Sequence, residues 1–214
     1  MIDSIFIKDN PINISNVSRE TLKELDDYSN SIILKNKDIN LISASTEKSI
    51  NSRHIADSAQ TIDFIDNIEI NTCTDLGSGA GLPGIVLAIL MKHKKPQFKV
   101  IFYEKSYHKS KFLVEMSKKF KLNTKVYQKN IFEEKNLSTD VIIARAFKPL
   151  PIIFEIAEKN FKNFKFIILF LGKSGKKILK KTLKYWEFDY EEKKSLTNSE
   201  SIIIKISNLK KKNG

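Results

Sequence analysis

The pattern of apolar and polar positions changes character near residue 67. Before it, Leu22, Leu25, Tyr28, Ile32 and Ile33 recur at spacings of three and four, which predicts an amphipathic helix from about Ser18 to Lys37. Asn40-Leu41-Ile42-Ser43 interrupts that pattern, and Ser45 or Thr46 can cap a second helix reaching about Ala59. From Thr72 onward, short apolar runs alternate with helical patterns. The spacing predicts strands over Thr72–Leu76, Lys99–Tyr103, Thr124–Tyr127, Val141–Ala144 and Phe166–Leu171. Helices are predicted over Pro83–Lys92, Lys109–Phe120, Pro151–Lys159 and Lys176–Trp186. Such alternation reads as a parallel α/β sheet covered on both faces. Tyr190 and Ser201–Ile206 then suggest two closing strands with no helix between them. The expected architecture is a Rossmann-like domain over residues 69–214, mostly parallel with an antiparallel terminal hairpin, preceded by a helical extension over residues 1–68.

Composition narrows the class. The chain has 214 residues, enough for a full core without disulfides. Its one cysteine, Cys73, lies inside the first predicted strand and reads as a small core residue, and no Cys/His spacing offers a metal site. Phe166–Leu171 is too short to span a bilayer, and Met1–Asn10 lacks the apolar run of a secretion signal, so a soluble cytoplasmic monomer is expected. The formal charge of +12 suggests a polyanionic partner, because clustered lysines release counterions on meeting phosphates. Joint enrichment in Lys, Asn and Ile offers a competing explanation by coding bias alone.

The most informative stretch is Asp75-Leu76-Gly77-Ser78-Gly79-Ala80-Gly81-Leu82-Pro83-Gly84, which spends four of the seven glycines on one strand-to-helix connection. Two ligands suit such a loop. Gly79-x-Gly81-x-x-Gly84 satisfies the dinucleotide fingerprint, in which a helix N-terminus receives a pyrophosphate. S-adenosylmethionine instead presents an ammonium and a carboxylate. Asp75 gives the ammonium a partner, direct or through water, and would repel a pyrophosphate. Glu104, closing the next strand, can accept the ribose hydroxyls of either cofactor. Together with the terminal hairpin, these features favour the methyl donor.

Arg145 ends the fourth of these strands, where open α/β sheets bind ligands; a surface ion pair is its alternative use. No Asn/Asp-Pro-Pro-aromatic turn follows that strand, so the amine-methylating pattern is absent. Arg53/Asp57 and His54/Ser58 are each four apart and would share helix faces, a spacing that serves stability as readily as function. Gly172-Lys173-Ser174 ends like a P-loop, but Ile167 stands where that motif needs its first glycine. Lys159, Lys162, Lys165, Lys173, Lys176, Lys177, Lys180, Lys181 and Lys184, with Tyr185 and Trp186 nearby, form a basic segment able to track a phosphate backbone.

In chain order, Asn40-Leu41-Ile42-Ser43, Arg53-His54-x-x-Asp57-Ser58, the glycine loop extended by Leu82-Pro83-Gly84, and Arg145-Ala146 resemble the bacterial 16S rRNA guanine-N7 methyltransferases, also called glucose-inhibited division protein B. The resemblance covers nearly the whole chain. It implies a class I methyltransferase domain with a helical N-terminal extension, acting on 16S rRNA or the assembling small subunit. It also implies that Gly77, Leu82, Ile131, Phe132 and Arg145 line the S-adenosylmethionine site, with the helix Arg53–Ser58 beside it. The family's acidic residue after the third strand is replaced by Phe132, with Glu133 following. A non-catalytic RNA-binding protein and an NAD-dependent oxidoreductase on the same scaffold are the alternatives.

Overall fold

The protein is described by a computed structural model that covers residues 17–65 and 68–212. The expectations about Met1–Asn10 and the change of pattern at Asn67 lie outside the described residues. Helix α1 spans Arg19–Asn36, and the Ser18 side chain caps it by accepting the Thr21 N–H at 3.1 Å. The alternating region contains strands β1 (Thr72–Leu76), β2 (Lys99–Tyr103), β3 (Thr124–Tyr127), β4 (Leu137–Ser138), β5 (Val141–Arg145), β6 (Phe161–Asn163) and β7 (Phe166–Leu171). Helices α2 (Gly84–Lys94), α3 (Tyr107–Lys119), α4 (Leu150–Asn160) and α5 (Gly175–Thr182) connect them, and β8 (Trp186–Lys194) and β9 (Ile202–Lys211) close the chain.

The main sheet has seven strands in the order β3-β2-β1-β5-β7-β9-β8. Its first five strands run parallel, whereas β9 pairs antiparallel with both β7 and β8. The order reverses at β1, so the loop after β1 and the end of β5 sit side by side at the switch point where open α/β sheets take ligands. Helix α2 is buried along all of Gly84–Met91, because the sheet covers one side and α1 with residues 44–65 cover the other; that explains its apolar composition all round. The N-terminal residues Tyr28, Ile32, Ile55 and Phe64 thus share one core with β1 and β2.

Two expectations need correction. The second helix is not one α-helix: residues 44–64 pass through a 3₁₀ segment (Ala44–Ser49), a π segment (Asn51–Ala56), one α turn (Asp57–Ala59) and a second 3₁₀ segment (Gln60–Phe64). Its Ser/Thr side chains bond back to local carbonyls (Thr46 to Ser43, Ser49 to Thr46, Ser52 to Ser49) and compete with a regular ladder. Helix α5 stops at Thr182, and Trp186 begins β8, because Trp186 and Phe188 alternate inward to pack edge-on against Phe154. Strands β4 and β6 form a small separate parallel pair that the pattern did not announce. Among the described residues no helix is long and apolar enough to cross a membrane, and no His/Cys/Asp/Glu group could hold a metal ion.

Candidate active site

The glycine loop is built by neighbours on every side. The N–H groups of Gly77 and Ser78 donate to the Tyr103 carbonyl at 2.9 and 3.3 Å, and the Gly79 N–H donates to Glu104 Oε2 at 2.9 Å. Gly77 (φ +64°) and Gly79 (φ +54°) occupy the left-handed region that side chains disfavour. Their surroundings differ. A Cβ on Gly77 would strike the Phe147 ring, whereas for one on Gly79 the nearest atom beyond its chain neighbours, among the described residues, is the Gly77 carbonyl oxygen at 3.9 Å. Gly79 therefore faces open space above the loop. Gly81 and Gly84 serve a different purpose. A Cβ on Gly81 would lie 2.8 Å from Leu113 and 3.1 Å from the Tyr28 hydroxyl, and one on Gly84 would strike Phe102. These two glycines let helix, sheet and loop pack closely, and Gly81, expected at the cofactor, is turned into the core.

Tyr28 is fully buried on α1 and donates to the Ala80 carbonyl at 2.6 Å. The N-terminal helix thus holds the loop directly. Tyr28→Phe is expected to lower stability by about 1–2 kcal/mol and to weaken ligand binding at the loop, because a buried carbonyl loses its donor. Paired thermal melts and ligand titrations check both effects.

Asp75 is turned beneath the loop. Its Oδ2 accepts the Gly84 N–H at 3.0 Å, its Oδ1 is buried without a partner, and it lines neither cleft described below. The carboxylate expected to face the cofactor instead caps the first turn of α2, where the helix dipole favours it. Burial raises its pKa to about 7, opposed by the Gly84 bond and reinforced by Glu104. Glu104 is also occupied: besides Gly79, its Oε1 accepts the Ser106 N–H at 2.8 Å.

Two clefts flank this region and share Gly77, Glu104 and Ala146. The first, of about 400 Å³, runs between Tyr103, Asn130, Ile131, Phe132 and Phe147. Phe132 is exposed and tilts toward Phe147 at 6.3 Å between ring centroids. Ile131 is buried, with its carbonyl accepting from the Asn160 amide at 2.7 Å. Glu133 accepts from the Asn130 side chain. The second cleft, of about 390 Å³, lies over Gly77, Ser78, Gly79, Ala80 and Leu82, walled by Ile42, Ser43, His54, Lys109 and Arg145.

Arg145 reaches across this second cleft to the N-terminal segment. It donates to the carbonyls of Arg53 and His54 at 2.7 and 3.3 Å and to Ser58 Oγ at 3.1 Å, and it pairs with Asp57 Oδ2 at 3.1 Å. Asp57 Oδ1 accepts from Ser195 at 2.7 Å and Gln60 at 3.0 Å. The Arg53/Asp57 pairing suggested by spacing does not form: the π segment turns Asp57 inward to Arg145 and leaves the Arg53 side chain exposed. The structure thus brings together Arg145, Asp57, Ser58 and the backbone of Arg53 and His54. Phe147, Lys109, Tyr28, Ser195 and Gln60 were not singled out as site residues, and only the position of Phe147 two residues beyond Arg145 signals one of them.

His54 accepts from or donates to Thr46 Oγ1 at 2.9 Å, and burial, Arg145 and Arg53 lower its pKa to about 4. It is neutral at neutral pH. A histidine lowered from 6.5 on folding stabilises fully above that value and loses the contribution as pH falls toward 4. Asp75 acts with the opposite sign, contributing at low pH and losing it as pH rises through about 7. His54→Gln is therefore expected to lose less stability than the parent between pH 6.5 and 4, checked by urea unfolding at several pH values.

Comparison with known proteins decides the family. The model for the family described as rRNA small subunit methyltransferase G matches residues 21–205. The chain belongs to that family. A ribosomal RNA small subunit methyltransferase G from Pelagibacter ubique is 50% identical over 200 residues, covering 92% of this chain and 93% of the relative. Its counterpart from Ruegeria pomeroyi is 32% identical, covering 91% and 95%. Among solved structures, the 16S rRNA methylase RmtB superposes with a TM-score of 0.54 at 13% identity, over 91% of this chain and 78% of that one. The PH0226 protein from Pyrococcus horikoshii gives 0.56 at 13% identity, over 78% and 93%. At such identities the likeness shows the fold, that of class I methyltransferases. The methyltransferase G match places the two clefts, the glycine loop and the Arg145 cluster within the matched residues.

Proposed function

We propose that this member of the methyltransferase G family transfers the methyl group of S-adenosylmethionine to N7 of a guanine in 16S ribosomal RNA. The observation that carries the reading is Gly79, whose missing side chain opens the loop to the second cleft beside Glu104. The residues present fit that cofactor. The first cleft offers an aromatic and apolar slot for an adenine between Ile131, Phe132 and Phe147, and Glu104 stands between the clefts where ribose hydroxyls would lie. Loop residues Gly77–Ala80 and Leu82 would then support the amino-acid portion. When bound, S-adenosylmethionine supplies an electrophilic methyl on a sulfonium.

The chain's own residues have a positioning task. Guanine N7 carries a free lone pair, so no side chain has to remove a proton before transfer, and alignment dominates. Neutral His54 and Ser43 line the second cleft and suit the edge of an unstacked base. Arg145 acts by fixing residues 53–58 as a wall of the cleft, since its NH1 and NH2 groups are bonded to that segment. Asp75 acts from below, through Gly84 and α2. In this reading the chain divides into an extension over residues 1–68, whose residues 41–43 and 54 wall one side of the site, and a transferase domain over residues 69–214. Lys177, Lys180, Lys181 and Lys184 lie around one hollow with Lys176, which pairs with Glu192, and this face of α5 suits an RNA backbone.

Calorimetric titration tests the cofactor assignment. S-adenosylmethionine should bind with one site per chain and NAD should not. Saturable NAD binding without S-adenosylmethionine binding would return the chain to the oxidoreductase reading.

A further inference from the structure

Among the described residues, three basic side chains wall the second cleft, and two of them are accounted for. Arg145 spends NH1 and NH2 on Arg53, His54, Ser58 and Asp57. His54 is bonded to Thr46 and uncharged. Lys109 remains. It stands in the first turn of α3, lines the cleft facing the glycine loop, is half-buried, and has no ion pair or hydrogen bond to a side chain among the described residues. Among the described residues the one acid lining the same cleft, Glu104, has turned its two oxygens to the N–H groups of Gly79 and Ser106.

We propose that Lys109 is the anion anchor of this cleft, holding an oxyanion brought either by the methyl donor, as its α-carboxylate, or by the target nucleotide, as its phosphate. The assignment rests on the methyltransferase reading above. A compact ammonium in a concave wall, with no ion-pair partner among the described residues, concentrates positive potential over the cleft. Lysine acts there as a point charge that follows an oxygen without demanding bidentate geometry. With Arg145 committed to the wall, Lys109 is the available cation of this cleft among the described residues.

The test uses the full chain, Lys109→Met and Lys109→Arg. Each is titrated with S-adenosylmethionine and with methylthioadenosine, which shares the nucleoside but has no amino-acid portion. 16S rRNA binding is measured across a salt series. If the anchor serves the carboxylate, Lys109→Met weakens S-adenosylmethionine about tenfold or more, Lys109→Arg restores most of it, and methylthioadenosine binding is unchanged. If it serves a phosphate, S-adenosylmethionine binding is unchanged while RNA affinity falls and the log–log salt slope shrinks by about 0.7–0.9. Either pattern supports the anchor and names its source. Unchanged binding of both ligands by Lys109→Met, or equal weakening of S-adenosylmethionine and methylthioadenosine, overturns it. A parent chain that binds no S-adenosylmethionine would instead remove the reading beneath the assignment, and the assignment with it.

Discussion

Gly79→Val is expected to abolish S-adenosylmethionine binding in a protein that still folds. Among the described residues, the nearest atom outside Gly79 and its two chain neighbours lies 3.9 Å from the position a Cβ would take, so the added methyl groups project into the cleft and not into the core. The φ of +54° makes the substitution strained, at a cost of about 1–2 kcal/mol. That leaves a domain of ordinary stability, about 5–15 kcal/mol, folded. Ligand affinity should nonetheless fall about a hundredfold or more, some 2.7 kcal/mol, because a branched side chain and the ligand cannot share the space. Gly81→Ala provides the contrast. Its Cβ would lie 2.8 Å from Leu113, so it should lower the melting temperature before it touches ligand affinity. Melting curves and calorimetry on both variants check the pair, and equal effects of the two on binding would contradict the distinction.

Arg145→Met is expected to have the largest effect on stability, a loss of about 3–5 kcal/mol, because it strands Asp57 as a charge that is nearly buried. The variant also releases residues 53–58 from the end of β5, so ligand binding in the second cleft should fall with it. Adding Asp57→Asn to Arg145→Met removes the stranded charge and should recover much of the stability without restoring the wall. Urea unfolding of the four members of this double-mutant cycle measures the coupling. Additive losses would mean that the Arg145–Asp57 contact contributes nothing of its own.

These residues also show what a single sequence carries. The five parallel strands of the main sheet were legible because buried strands read as short apolar runs between turn residues, and Val141–Arg145 and Phe166–Leu171 are such runs. The loop was legible because four glycines between a strand and a helix have few other uses. The expected single helix to about Ala59 fails because Ser and Thr side chains compete for the backbone there, and periodicity does not distinguish α from π or 3₁₀ winding. Trp186 was misread because its tie to Phe154 belongs to tertiary packing. The bond from Tyr28 to Ala80 and the reach of Arg145 to Asp57 join distant parts of the chain, and nothing local announces such pairs. Motif spacing located Arg53, His54, Asp57 and Ser58 but suggested the wrong partner for Asp57.

The most direct test incubates the full chain with S-adenosylmethionine and either 16S rRNA or small subunits that lack the modification, followed by digestion to nucleosides and mass spectrometry. The expected result is 7-methylguanosine, formed in proportion to enzyme and lost in Gly79→Val. Methyl groups recovered on an exocyclic amine or a ring carbon, or no methylation of either substrate, would contradict the proposed reaction.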